Sequence, residues 1–154
     1  MDWIDNGYML LWETAAPAAK ESPNAPSAFE HKEFVNGAIK EMVESGALTR
    51  LPRGQRPTVV SPIGVVTKPH SDKLRLVINM RYVNKHLAKK VFKFEGLADL
   101  ADMAEKGDYS VSYDLKSAYY HVGLHSPTRR FVGIKWGGVY YEYTCLAFGL
   151  SSAP

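Results

Sequence analysis

The spacing of hydrophobic and polar residues changes several times along the chain. Phe34, Val35, Ala38, Ile39, Met42 and Val43 recur at helical spacing, the mark of an amphipathic helix with one core-facing stripe. Ser27 precedes Glu30 by three residues, as in a capping box, and Gly46 supplies a stop. Together these predict a helix over about residues 28–45. Ile63–Lys68 and Lys73–Ile78 are rich in strand formers and are joined by Pro69-His70-Ser71-Asp72, which predicts a hairpin with a polar tip. Asn79–Leu87 predicts an irregular or short helical return, and Glu95–Glu105 a helix ended by Gly107-Asp108. From Tyr109 to Leu115 the period becomes two. Tyr109, Val111, Tyr113 and Leu115 fall on one face and Ser110, Ser112 and Asp114 on the other, so a strand is predicted. His121–His125 extends this as a short strand, and Ser126-Pro127-Thr128 is a turn. Phe131–Trp136 and Val139–Thr144 flank Gly137-Gly138, a hairpin signal. Ahead of all this, residues 1–12 predict a peripheral strand or arm. Residues 13–26, with Pro17, Pro23 and Pro26, predict an extended linker.

Charge changes the picture more than composition does. The 154 residues suit one ordinary domain, and 45% hydrophobic with 23% charged residues is typical of a folded chain. The net charge of +3 conceals an uneven distribution. Residues 1–49 hold three Lys/Arg and eight Asp/Glu, a net of −5. Residues 50–93 hold eleven basic residues and one acid, a net of +10, and residues 94–154 hold five and seven, a net of −2. A basic block with strand-like segments inside it suits a polyanion better than a mere basic tail does. A single cysteine, Cys145, excludes an internal disulfide and a Cys-rich zinc site, and suits a reducing compartment. No apolar run approaches the roughly 18 residues that span a bilayer. The acidic start, with Asp2 and Asp5, does not predict a signal peptide.

Taken singly, the chemical candidates leave two readings open. Asp114 ends the polar face of its strand, either as a ligand for a hard cation or as a plain surface aspartate. Lys68 and Arg75 are either anion contacts or solvated hairpin charges, and Tyr119 is either a site residue or a core aromatic. Ser151 and Ser152 lack a Gly-x-Ser-x-Gly elbow and are not read as nucleophiles. His121 and His125 sit in a β-like run without a metal-binding pattern, and Cys145 reads as a small core residue.

Three stretches, taken in order, say more. SPIGVVTKPHSDKLRLVINMRYVNKHL carries the basic hairpin, YSVSYDLKSAYYHV carries Asp114 and Tyr119, and CLAFGLSSAP follows. From about Phe29 to Pro154 the chain resembles the reverse transcriptase domain of retroelements. HKEFVNGAIKEMVESGAL, EKGDYSVSYDLKSAYYHV and FGLSSAP look most like retrotransposons of the DIRS type. The resemblance implies an α+β fold, the fingers and partial palm of a right-hand polymerase, with an incomplete antiparallel palm sheet and helices. In that frame residues 1–26 are an arm and proline-rich linker, 27–93 the fingers, and 94–154 the first part of the palm.

The implied chemistry is RNA-directed DNA polymerisation, in which a primer 3′ hydroxyl attacks a deoxynucleotide α-phosphate between two Mg²⁺ ions (or Mn²⁺). Asp114 matches the first metal-ligand aspartate of the family, and Leu115 offers its backbone carbonyl to the metal. Lys68 and Arg75 match the residues that embrace the triphosphate. Tyr119 falls where a bulky side chain excludes a 2′ hydroxyl, and Phe148 and Gly149 where the sugar and base are lined. The implied partners are an RNA or DNA template-primer, deoxynucleotide triphosphates and the remainder of the polymerase downstream, with no membrane. The family's Tyr-x-Asp-Asp motif does not occur in these residues. The chain therefore reads as a truncated fragment, expected to be inactive alone, with the Tyr109–Leu115 strand short of partners. The alternative is a non-catalytic nucleic-acid-binding protein derived from such an element.

Overall fold

The structure is a computed structural model, and it describes residues 2–89, 96, 99, 103, 105–113 and 118–151. The chain opens with a short helix, α1 (Asp2–Asn6), and a two-residue strand, β1 (Lys20–Glu21). Helices α2 (Pro26–Glu30) and α3 (Lys32–Glu44) follow, then β2 (Leu48–Arg50), β3 (Val59–Val60), β4 (Ile63–Thr67) and β5 (Leu74–Ile78). A one-turn helix, α4 (Arg81–Asn84), returns the chain. Beyond it lie two 3₁₀ segments, Ala118–His121 and Ser126–Phe131, and the hairpin β6 (Gly133–Trp136) and β7 (Val139–Tyr143). The class is α+β, as expected.

Two sheets form the frame. A five-stranded sheet has the order β1-β3-β6-β7-β2, and β4 and β5 make a separate antiparallel hairpin. In the larger sheet β1 and β3 pair in parallel, as do β3 and β6, while β6–β7 and β7–β2 are antiparallel. Its strands come from all three of the segments drawn in the sequence. Gly133 makes the β3–β6 approach possible. A Cβ there would overlap the Pro57 ring and come within 2.9 Å of the Val59 carbonyl. The Gly137-Gly138 turn has φ of +55° and +79°, both in the left-handed region that a two-residue hairpin loop of this type demands. Trp136 and Val139 therefore face each other directly.

The core lies between this sheet, α3 and the β4–β5 hairpin. Val35, Ile39 and Met42 are the buried residues of α3, and they pack with Leu48, Ile63, Val65, Ile134 and Tyr143. Burying such side chains contributes about 1.5–3 kcal/mol each. The predicted single helix is in fact two, broken at His31, whose φ of −115° and ψ of 45° are not helical. Ser27 does not cap either helix. Its Oγ accepts a hydrogen bond from the Val65 N–H at 3.0 Å. Asn24 Oδ1 accepts from Ile63 N–H at 3.1 Å, and Ala25 N–H donates to the Ile63 carbonyl at 2.9 Å. The chain from Asn24 into the first turn of α2 thus satisfies the free edge of β4, and that demand outweighs the local cap.

Two further expectations change. The N-terminal arm is not peripheral: Leu10 is buried, and the Trp12 and Phe131 rings meet edge to face at 4.9 Å. Tyr8 N–H donates to the Gly123 carbonyl, and Ala88 N–H to that of Leu11, so the arm links two distant parts of the chain. Residues 109–113 are not a strand. They are exposed throughout, with Tyr109, Val111 and Tyr113 among the most exposed large side chains. Alternation allows a strand, but only a neighbour's hydrogen bonds make one, and no described strand pairs with this segment. Asp114 and Leu115 lie outside the described residues, as does most of the predicted helix Glu95–Glu105. No helix among the described residues is long and apolar enough to cross a membrane.

Candidate nucleotide site

The β4–β5 hairpin presents its cations on one face. Val66 pairs with Arg75, and the Lys68 N–H donates to the Lys73 carbonyl at 2.9 Å. Side chains alternate along a strand, so Val66, Lys68, Lys73 and Arg75 share a face. The opposite face, with Ile63, Val65, Leu74, Leu76 and Ile78, packs on the core. Lys68 and Arg75 are exposed and make no ion pair among the described residues. The tip is closed by Ser71, whose N–H donates to the Lys68 carbonyl and whose Oγ accepts from the Lys73 N–H. His70 there has φ of +57°.

The loop from Ala147 to Ser151 is fixed against the base of this hairpin. Gly149 has φ of +95°, and a Cβ on it would come within 3.2 Å of the Ile78 carbonyl, the last residue of β5. Arg75 stands three residues back on the same strand, about 10 Å along it. Asn84, at the end of α4, holds the loop from the other side. Its Nδ2 donates to the Gly149 carbonyl at 2.7 Å and its Oδ1 accepts from the Ser151 N–H at 3.0 Å. Both bonds draw on the two-sided amide, which only Asn or Gln offers. Sequence reading passed over Asn84; its one signal was an amide at the end of a short helical return.

Phe148, half-exposed, projects from the loop and meets the Tyr119 ring edge to face at 4.8 Å and that of Tyr120 at 5.9 Å. Of the residues named from the sequence, the structure thus joins Tyr119 to Phe148, and Gly149 to the strand that carries Arg75. Asp114 and Leu115, five and four residues before Tyr119, lie outside the described residues.

Beneath this site the groups are partly or fully buried and neutral. Burial raises the Tyr120 hydroxyl pKa, with a further rise from Cys145, and burial raises that of Tyr143 well above its usual value. Burial also pushes the Cys145 thiol up to about 11. Both tyrosine hydroxyls point to Met42 Sδ at 3.5 Å. None of these groups is set up to exchange protons near neutrality. Among the described residues no three His, Cys, Asp or Glu side chains cluster as a metal site.

The comparisons agree with this architecture. No family model matches the chain. The chain is 33% identical over 99 residues to the "Retrovirus-related Pol polyprotein from transposon 412" of Drosophila melanogaster, a match over 61% of this chain and 8% of that one. It is 25% identical over 120 residues to a polyprotein of Cassava vein mosaic virus, over 75% of this chain and 18% of that one. Among solved structures, the native protease-reverse transcriptase of prototype foamy virus superposes with a TM-score of 0.69 at 23% identity, over 94% of this chain and 19% of that chain. A foamy viral protease-reverse transcriptase in complex with dsDNA gives 0.62 at 19% identity, over 94% of this chain and 27% of that one. The fold is that of reverse transcriptases, and the sequence relatives are polyproteins of retroelements and viruses. The chain is thus similar in sequence to retroelement and viral polyproteins and in fold to reverse transcriptases, and it spans less than a fifth of either polyprotein named here.

Proposed function

We propose that the chain supplies the fingers (27–93) and the first part of the palm (94–154) of an RNA-directed DNA polymerase, of the DIRS type, with residues 1–26 as an arm. The observation that carries this reading is the seating of the Phe148-Gly149 loop. Gly149 rests on the Ile78 carbonyl and Phe148 on the Tyr119 ring. A backbone turn and two aromatic rings are thereby held next to a hairpin whose cations make no ion pair among the described residues.

In this reading Arg75 grips a triphosphate with its planar fork and Lys68 adds a point charge. The Tyr119 ring, braced by Phe148, blocks a 2′ hydroxyl by clash, which selects deoxynucleotides. Gly149, left-handed and close against the Ile78 carbonyl, sets the loop backbone that would line the sugar and base. Mg²⁺ would be held by Asp114 and the Leu115 carbonyl together with substrate phosphates, and would stabilise charge on the transferring phosphoryl group. Template-primer would run along the basic segment.

The test is deoxynucleotide triphosphate binding by the purified chain, followed by calorimetry with and without Mg²⁺. Mg²⁺-dependent binding is expected, weakened about tenfold or more by Arg75→Ala or Asp114→Ala. Binding that is indifferent to Mg²⁺ and to both substitutions would overturn the proposal.

A further inference from the structure

The chain ahead of β1 is docked across the body and joins two parts of the candidate site from behind. Tyr8 and Leu124 form a parallel bridge, and Trp12 and Leu87 an antiparallel one. Four amides make these ties. Tyr8 N–H donates to the Gly123 carbonyl at 2.7 Å, and His125 N–H to that of Tyr8 at 3.0 Å. Glu13 N–H donates to the His86 carbonyl and Ala88 N–H to that of Leu11, both at 2.8 Å. We propose that residues 7–13 are a strap that opens and closes as one unit, and that its closed state holds the two parts of the nucleotide site in register. The effect on nucleotide binding rests on the preceding reading; the opening of the strap as a unit does not.

A period of two explains the docking. Tyr8, Leu10 and Trp12 face the body, Leu10 fully buried and the other two packed on the core. Met9 and Leu11 point outward and are exposed. Leu10 stands midway between the bridges, about 7 Å along the strand from each. Releasing either end uncovers part of Leu10, and an uncovered Leu10 weakens the hold of the other end. The first end fits closely. Gly7 has φ of +82°, and a Cβ there would stand 2.7 Å from the backbone of both Leu124 and His125. At the second end the Trp12 ring is seated on Phe131. Among the described residues each end is a single bridge wide, so the strap is held by less than a full ladder and opens below global unfolding.

The two ends lie where the site is built. His86 follows the one-turn helix that carries Asn84, and its N–H donates to the Val83 carbonyl in the same turn at 2.9 Å. The Asn84 amide in turn fixes the Gly149 and Ser151 backbone. Gly123 follows the 3₁₀ segment that carries Tyr119, and the Val122 N–H donates to the Tyr119 carbonyl at 3.2 Å. A closed strap thus ties the turn that seats the Phe148 loop to the turn that presents Tyr119. Opening removes that tie from behind the contact between the two rings.

The experiment is native-state hydrogen exchange on the full 154-residue chain, read at single amides in low urea. The amides of Tyr8, Glu13, Ala88 and His125 are expected to share one opening free energy and one urea dependence. Both should fall below those of Leu146, whose N–H bonds within the body to the Val122 carbonyl. Gly7→Ala, a change at the first end, is expected to speed exchange at Glu13 and Ala88 by about fivefold or more, with Leu146 unchanged. Glu13→Pro removes a donor at the second end and is expected to do the same to Tyr8 and His125. Separate opening free energies for the two ends of the parent overturn the proposal, and so do variants that speed exchange at their own end alone. The parent measurement decides the matter if neither variant folds. Mg²⁺-dependent binding of a deoxynucleotide triphosphate is then compared in the parent and Gly7→Ala, with a weakening of about fivefold expected. Unchanged affinity in a variant whose strap has loosened overturns the role at the site. If the parent binds no nucleotide, the polymerase reading fails and that role with it, while the exchange result still decides whether the strap moves as a unit.

Discussion

Asn84 carries more of the candidate site than its place on a one-turn helix suggests. Its amide ties both ends of a three-residue stretch, the Gly149 carbonyl and the Ser151 N–H. Asn84→Ala removes both bonds, and we expect a loss of about 1–2 kcal/mol in denaturant unfolding, together with weaker nucleotide binding because Phe148 is no longer held against Tyr119. Unchanged nucleotide affinity in a folded variant would show that the loop holds its own shape. A second residue-scale prediction concerns Glu21. Hydrogen bonds from Lys135 and then Tyr140 hold its carboxyl pKa below the ordinary value. The stabilisation is therefore complete above the usual glutamate range and is lost as pH falls through the lowered folded value. The Lys135 pKa is raised, first by its hydrogen bond to Glu21, so its share is present below the usual lysine range and is lost as pH rises through the raised value. Both side chains are 38% exposed, so solvent screens the pair and the effect is small. Glu21→Gln should lower Tm slightly near neutrality, and the gap to the parent should close in acid. A gap that persists in acid would trace the loss to packing.

Elements were legible in the sequence where one local rule decided them. The Gly137-Gly138 hairpin and the β4–β5 hairpin formed where strand formers met turn formers, and the stripe Val35, Ile39 and Met42 is buried as its spacing required. What failed to show was whatever a distant partner decided. Ser27 looked like a helix cap and instead serves the edge of β4, because an unpaired Val65 N–H beside the core costs more than a missing cap. The β1 and β2 strands are two and three residues long and exist through pairings with chain far away in sequence, which no local pattern announces. Gly133 is the clearest case. In sequence it is one position within the Phe131–Trp136 run, and in the fold it is the only residue type that admits Pro57 and Val59 alongside β6. Gly133→Ala is expected to cost about 1–3 kcal/mol, since the new methyl meets a proline ring and a backbone carbonyl, neither of which yields easily. A loss below about 1 kcal/mol in urea unfolding would mean that the Pro57 loop can move aside.

Over the whole molecule, the site is assembled from three chain segments that only the fold brings near one another: the β4–β5 hairpin, the stretch through Tyr119 and the Ala147–Ser151 loop. The motif order in the sequence named those segments, but not the Asn84 amide and Ile78 carbonyl that lock the loop to the hairpin. The arm from Tyr8 to Trp12 closes the assembly, with Leu10 in the core. In the proposed reading, carboxylates set the limit on what these 154 residues can do by themselves. In-line phosphoryl transfer between two metal ions needs ligands on both. In the proposed reading Asp114 supplies one carboxylate, and Asp-Asp occurs nowhere in the chain. We therefore expect the purified chain to bind a deoxynucleotide triphosphate and an oligonucleotide, yet to leave an annealed primer unextended on an RNA template with Mg²⁺. The same assay with Mn²⁺ should also show no extension, because a more permissive ion still needs a second anchor. Extension that Asp114→Ala abolishes would show that another carboxylate of this chain completes the metal site, and binding without extension would place the missing ligands outside it.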